Sequence, residues 1–159
     1  MAAKIEVELK GAIARPVDEV RSQFFDIEHH AKQGVHPDLK FTILKKEPNL
    51  IEFRQEVKLL GMRHDDQYLC KKLEDGSLYQ EVIAGTNKGL TIQFWFESLA
   101  EQACVVRAKF VAPTPGLMRF LAPLLKIAIR KTAEKAFLED KKDLESGNYH
   151  RLASGGRRL

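Results

Sequence analysis

An α+β fold, a curved antiparallel seven-stranded sheet wrapped around a long C-terminal helix, is predicted by three observations. Seven short runs alternate apolar with polar residues and are separated by turn residues, the mark of strands with one wet face. A short helix-patterned segment interrupts them after the first run. The chain then closes on a helix-patterned stretch from Leu117 to about Gly147, where Leu121, Leu125, Ala128, Ile129, Ala133, Ala136, Phe137 and Leu144 recur at spacings of three and four. Lys126, Arg130, Lys131, Lys135, Lys141 and Lys142 occupy the other side. Such a helix must bury its stripe, and the sheet offers the only large apolar surface for it.

The first strand covers residues 4–14, with Ile5, Val7 and Leu9 on one face and Lys4, Glu6, Glu8 and Lys10 on the other. Pro16 suits a first helical turn, where its missing N–H costs nothing, and Asp18 and Glu19 are favoured there by the helix dipole. Val17, Val20, Phe24, Phe25 and Ile27 supply an apolar side, and Gly34 and Pro37 punctuate the next stretch, so two short helices are expected over about 16–34. A meander comes next. Phe41 and Ile43 lie on a strand ending at Glu47-Pro48-Asn49. Ile51, Phe53, Val57 and Leu59 alternate with Glu52, Arg54, Glu56 and Lys58 up to Gly61. Further strands run from Met62 to Leu73, Leu78 to Ala84, Leu90 to Leu99 and Gln102 to Ala112, with turns at Asp75-Gly76-Ser77, Gly85–Gly89 and Ala100-Glu101. Pro123 lacks an N–H and its ring meets the carbonyl four residues back. A break is therefore expected over about 116–122, with the long helix running from Pro123 to Ser146 and the leading Leu117–Leu121 segment at the mouth of any pocket.

A chain of 159 residues is one domain's worth and can bury a core without staples. Its formal charge of +4 is concentrated at the end: Arg151, Arg157 and Arg158 fall in residues 148–159, which hold no acid, and the rest carries 23 basic against 22 acidic residues. A near-neutral body lacks the electrostatic footprint of a nucleic-acid binder. Ser154-Gly155-Gly156 and the loss of apolar period beyond Leu152 suggest a flexible basic tail over 148–159, leaving residues 1–147 as the domain. The N-terminus alternates charged and apolar residues without the apolar core of a secretory signal, and the run from Leu117 to Ile129, broken by Arg119 and Lys126, is too short to span a bilayer. Cys70 and Cys104 lie inside strand-like runs without Cys-x-x-Cys spacing. They read as buried free thiols of a cytoplasmic protein.

The opening strand leading into Ala14-Arg15-Pro16-Val17-Asp18-Glu19-Val20, followed by Phe25-Asp26-Ile27-Glu28-His29-His30, resembles members of the START-like (SRPBCC) superfamily. So do the closing Arg119-Phe120-Leu121-Ala122-Pro123-Leu124-Leu125 segment and the Leu138–Glu145 stretch. The resemblance covers about residues 3–147. It implies the helix-grip fold and a hydrophobic ligand (a lipid, isoprenoid or polyketide) held between sheet and helix, or else a polyketide cyclase, aromatase or dehydratase working in the same pocket. A partner-binding role for the basic helix face or tail is the remaining alternative. Such motifs identify a fold far better than an activity.

The inner rows Leu90-Ile92-Phe94-Phe96 and Cys104-Val106-Ala108-Phe110 should face the long helix. Phe53, Tyr68, Phe94, Phe96, Phe110, Leu121, Leu125 and Ile129 are accordingly the candidate ligand-binding residues. His64, Asp66 and Tyr68 alternate along one strand and share a face. An inward His64–Asp66 pair would be the acid–base arrangement a cyclase could use. The opposite orientation would bury Arg63, Asp65 and Lys71, which is costly without partners, so Tyr68 and Cys70 are expected inward with His64 and Asp66 nearer the rim. His29, His30 and His36 crowd together near Asp26 and Glu28, but adjacent histidines on a helix point about 100° apart and no His-Glu-x-x-His spacing exists. His29 and His30 read as two exposed imidazoles in a helix-end turn, with no metal. No Gly-x-Ser-x-Gly, Gly-x-Gly-x-x-Gly or Walker-type loop occurs, so neither a hydrolase triad nor a nucleotide cofactor is implied.

Overall fold

The computed structural model describes residues 3–59 and 61–155. The elements run β1 (Lys4–Ile13), α1 (Val17–Phe25), α2 (Ile27–Gln33), β2 (Lys40–Glu47), β3 (Leu50–Leu59), β4 (Met62–Lys72), β5 (Leu78–Gly85), β6 (Thr91–Ala100), β7 (Ala103–Pro113), a 3-10 turn η1 (Gly116–Leu121), α3 (Ala122–Glu145) and α4 (Asn148–Gly155). All seven strands form one antiparallel sheet in the order β1-β7-β6-β5-β4-β3-β2. The order follows from the meander: each strand from β2 to β6 pairs with its successor, and β1 closes onto β7 with Ile5 opposite Ala112 and Ile13 opposite Cys104. This is the helix-grip arrangement, with α3 laid across the concave face.

Local chemistry sets the ends of the helices. Asp26 caps α2 by accepting the His29 backbone N–H at 2.9 Å, and Gly34 ends it in the left-handed conformation at φ 58°. Pro16 stands at the N-cap of α1, with Asp18 and Glu19 in the first turn. Pro123 falls in the first turn of α3, and the preceding six residues are the 3-10 turn η1, so the break predicted over 116–122 is present. At β1 the helix comes closest to the sheet: a Cβ on Gly11 would lie 2.4 Å from ring carbons of Phe137. Only a glycine lets that ring seat on the strand.

The core has two parts. One gathers Ile13, Val20, Phe24, Leu78, Val106 and Leu144 where α1 and the end of α3 meet the sheet. The other gathers Ile27, Ile51, Phe53, Tyr68, Val82 and Ile92 toward β3–β5. The ordered domain does not stop at residue 147. Where a basic tail was expected, α4 forms, and Tyr149 is buried in the first cluster with its hydroxyl donating to Asp26 Oδ2 at 3.3 Å. One aromatic residue amid polar ones was too weak a periodic signal to foretell this. Residues 156–159 of that expected tail, and the side chains of Leu59 and Ser154, lie outside what is described.

Candidate functional site

The alternating apolar rows of the strands point toward α3 but do not fill the space beneath it. Along α3 only Ala133, Asp140 and Leu144 are buried, whereas Leu125, Ile129, Ala136 and Phe137 are half-buried. Phe94 and Phe110 on the facing strands are half-buried as well. Between them lies a cavity of about 940 Å³. Phe53, Tyr68, Phe94 and Phe110 line it from the sheet, and Leu121, Leu125 and Ile129 from η1 and α3. Phe96 is not on the wall. It packs edge-on against Phe24 with ring centroids 5.4 Å apart, and the Arg21 guanidinium sits 5.8 Å from its centroid. The curvature of β6 turns its later residues away from the hollow and toward α1.

On β4 the even-numbered residues face inward, as the cost of burying Arg63, Asp65 and Lys71 required. Tyr68 stacks on Phe53 with centroids 5.1 Å apart and planes 4° from parallel, and burial pushes its phenol well above the ordinary value. Asp66, expected near the rim, is instead buried and absent from the cavity wall. Its carboxylate accepts the Asn87 backbone N–H at 2.7 Å and the Asn87 side-chain amide at 2.6 Å, which ties down the turn between β5 and β6. Gly85 makes that close approach possible: its φ is 114°, and a Cβ there would stand 2.3 Å from the Asp65 carbonyl oxygen and 2.7 Å from Asp66 Oδ1. The Asn87 amide also donates to His64 Nδ1 at 3.0 Å. Asn87 thus bridges the two groups, and Asp66 holds a turn while His64 and Tyr68 reach the cavity wall.

His29 and His30, expected to be exposed, are instead buried together with His36, because α3 presents Glu139, Asp140 and Asp143 to them. His29 Nε2 meets Asp143 Oδ2 at 2.8 Å. His30 uses both ring nitrogens, Nδ1 toward the Asp26 carbonyl at 2.7 Å and Nε2 toward Asp140 Oδ1 at 2.8 Å. His36 Nε2 lies 3.3 Å from the same Asp140 oxygen, and its ring stacks on His30 with centroids 5.2 Å apart. Gln23 donates to Asp140 Oδ1 at 3.0 Å and to Asp143 Oδ2 at 3.1 Å. Burial alone would raise the Asp140 carboxyl, but the His30 and His36 imidazoles beside it hold it well below the usual carboxylate range. Burial likewise opposes a charged His30, and the hydrogen bond and charge of Asp140 outweigh it, leaving the imidazole above its ordinary value.

His30, His36 and Asp140 line the same cavity as the phenylalanines, so its apolar wall carries one polar cluster. The sequence held one sign of it: Asp140 sits at helical spacing between Phe137 and Leu144, a carboxylate within the apolar stripe of α3.

No protein-family model matches the chain, and no curated protein matches it in sequence. Solved structures do. TTHA0849 from Thermus thermophilus superposes with a TM-score of 0.79 at 14% identity, over 89% of this chain and 98% of that one. The Zhui aromatase/cyclase from Streptomyces sp. R1128 gives 0.72 at 12% identity over 99% and 100%. A START superfamily protein from Mycobacterium smegmatis gives 0.71 at 16% identity over 93% and 99%. The fold is therefore that of START-like helix-grip proteins, and likeness at such low identity speaks to the fold alone.

Proposed function

We propose that this helix-grip chain holds a hydrophobic small molecule, a lipid, isoprenoid or polyketide-like compound, in the cavity between its sheet and α3. The observation that carries the reading is the hollow itself: about 940 Å³ walled mainly by aromatic and aliphatic side chains that a solid core would have buried completely. Each 100 Å² of apolar ligand surface removed from water contributes roughly 2.5 kcal/mol before ordering costs. A bound molecule thus gains its affinity from area, and the few polar groups set its orientation. Two buried, unpaired cysteines suit a reducing compartment such as the cytoplasm. Among the described residues no helix is long and apolar enough to cross a membrane.

The test is saturable binding of a hydrophobic fluorescent probe, displaced by long-chain lipids or aromatic polyketides. Phe94→Ala and Phe110→Ala should each change the probe's affinity several-fold while far-UV circular dichroism stays that of the parent. Failure of any probe or lipid to saturate the folded protein would refute the reading.

A second reading, catalysis of the cyclase or dehydratase type, is favoured by the polar groups on the wall. His64 and Tyr68 face the hollow, and the Asn87 amide leaves His64 Nε2 to carry the ring hydrogen. Incubation with a reactive poly-β-ketone mimic should give a cyclised product that His64→Ala diminishes. Turnover equal to buffer would leave binding alone.

A further inference from the structure

The contacts of His30 and His36 contain a problem of proton accounting. The carbonyl oxygen of Asp26, 2.7 Å from His30 Nδ1, can only accept, so Nδ1 carries a hydrogen. His36 Nδ1 lies 3.4 Å from Glu139 Oε1, again an acceptor. A neutral imidazole has a single N–H, so a neutral His30 presents a lone pair at Nε2, 2.8 Å from Asp140 Oδ1, and that oxygen also offers only lone pairs. Both nitrogens of His36 face carboxylate oxygens, Nε2 at 3.3 Å from the same Asp140 atom, so a neutral ring leaves one of its lone pairs against an oxygen as well. Lone pairs converging in a buried pocket repel one another unless positive charge lies among them. Two extra protons would supply it as a stacked pair of buried imidazolium ions. One divalent cation supplies the same charge at a single point shared by all three atoms.

We propose that His30 Nε2, His36 Nε2 and Asp140 Oδ1 form a binding site for one divalent transition-metal ion in the cavity wall. The three atoms lie within 4.8 Å of one another, and all three residues are buried. Ligands about 2.1 Å from a tetrahedral ion stand about 3.4 Å apart, so the observed separations from Asp140 need only small adjustment. The outer groups are those a metal site requires. A backbone carbonyl and a carboxylate hold the two Nδ1–H groups, fixing the tautomer that leaves Nε2 free, and the Gln23 amide orients Asp140. Two imidazoles and one carboxylate suit zinc, iron(II), cobalt or nickel better than magnesium or calcium. Three protein ligands leave a coordination position open, and because these residues line the cavity that position faces the hollow, where water or an oxygen atom of a bound molecule completes it. His29 stands apart from this set: it pairs with Asp143, whose carboxylate is further held by Asn148 and Gln23.

The ion's coordination does not depend on the hydrophobic-ligand reading, and its test uses metal alone. Full-length protein stripped with a chelator is titrated with Co²⁺ and with Zn²⁺ by calorimetry, and the cobalt form is followed by visible absorption. The expected result is one ion per chain, with d–d bands that shift when azide occupies the open position. His36→Gln and Asp140→Asn should each weaken binding at least tenfold. His150→Gln, a surface histidine, should leave the stoichiometry unchanged. Absence of stoichiometric binding of either ion, or undiminished binding in folded His36→Gln and Asp140→Asn proteins, overturns the proposal. If those variants do not fold, anomalous diffraction from metal-soaked wild-type crystals decides it: density between the three named atoms supports the site, and density elsewhere or nowhere refutes it.

Discussion

Replacing Tyr149 tests whether α4 belongs to the folded domain or is an appendage. The ring is 8% exposed, packs in the cluster around Leu144 and Phe24, and meets His29 edge-on with centroids 4.7 Å apart. Truncating a buried aromatic ring to alanine costs about 3–5 kcal/mol, the lost transfer energy plus the cavity left behind. The hydroxyl contributes less: its bond to Asp26 is long at 3.3 Å, so Tyr149→Phe should cost about 0.5–1 kcal/mol. For a chain of this size 1 kcal/mol moves the melting temperature by roughly 2–4 °C, so Tyr149→Ala should melt roughly 6–20 °C lower and Tyr149→Phe roughly 1–4 °C lower. Urea denaturation with a lowered midpoint and an unchanged m-value would show that stability, not the surface exposed on unfolding, was altered. Were Tyr149→Ala to fall within about 0.5 kcal/mol of the parent, the range of an ordinary surface change, the docking of α4 would be refuted.

Three further outcomes rest on the geometry. Gly85→Ala should cost about 2 kcal/mol or more in chemical denaturation, because its Cβ would strike the Asp65 carbonyl and its φ is positive; an unaffected midpoint would contradict the turn described. The buried Tyr68 and Tyr149 phenols have folded pKa values raised above the unfolded value of about 10. Their contribution to stability is complete below that pH and is lost as pH rises further, so their ultraviolet titration should coincide with alkaline unfolding, and tyrosinate formation in the still-folded protein would argue against their burial. The Cys70 thiol, pushed up to about 12 by burial, and the fully buried Cys104 should resist a disulfide reagent at neutral pH until denaturant is added.

The elements of this fold were written in local sequence. Strand alternation has a period of two, so each of β1 to β7 could be read from its own residues, and Pro123 marked the start of α3 because the chemistry of a proline ring reaches only four residues. The inward choice on β4 was legible too, since burying Arg63, Asp65 and Lys71 together is costly wherever the strand lies. Whether the helix covers a solid core or a hollow was not legible, because Phe94 and Phe110 are equally apolar in either case and only their half-burial distinguishes the two. Nor could the sequence show that Asp66 spends its charge on Asn87, which depends on how the β5–β6 turn folds back. The histidines mark the limit most clearly. On α2 alone, His29 and His30 are neighbours with divergent rings and no visible partner. Asp140 is 110 residues beyond His30, and its meeting with that ring is decided by how α3 crosses the sheet. Periodicity tells each helix which face to bury; the pairing of charges between two buried faces arises only when tertiary packing brings them together.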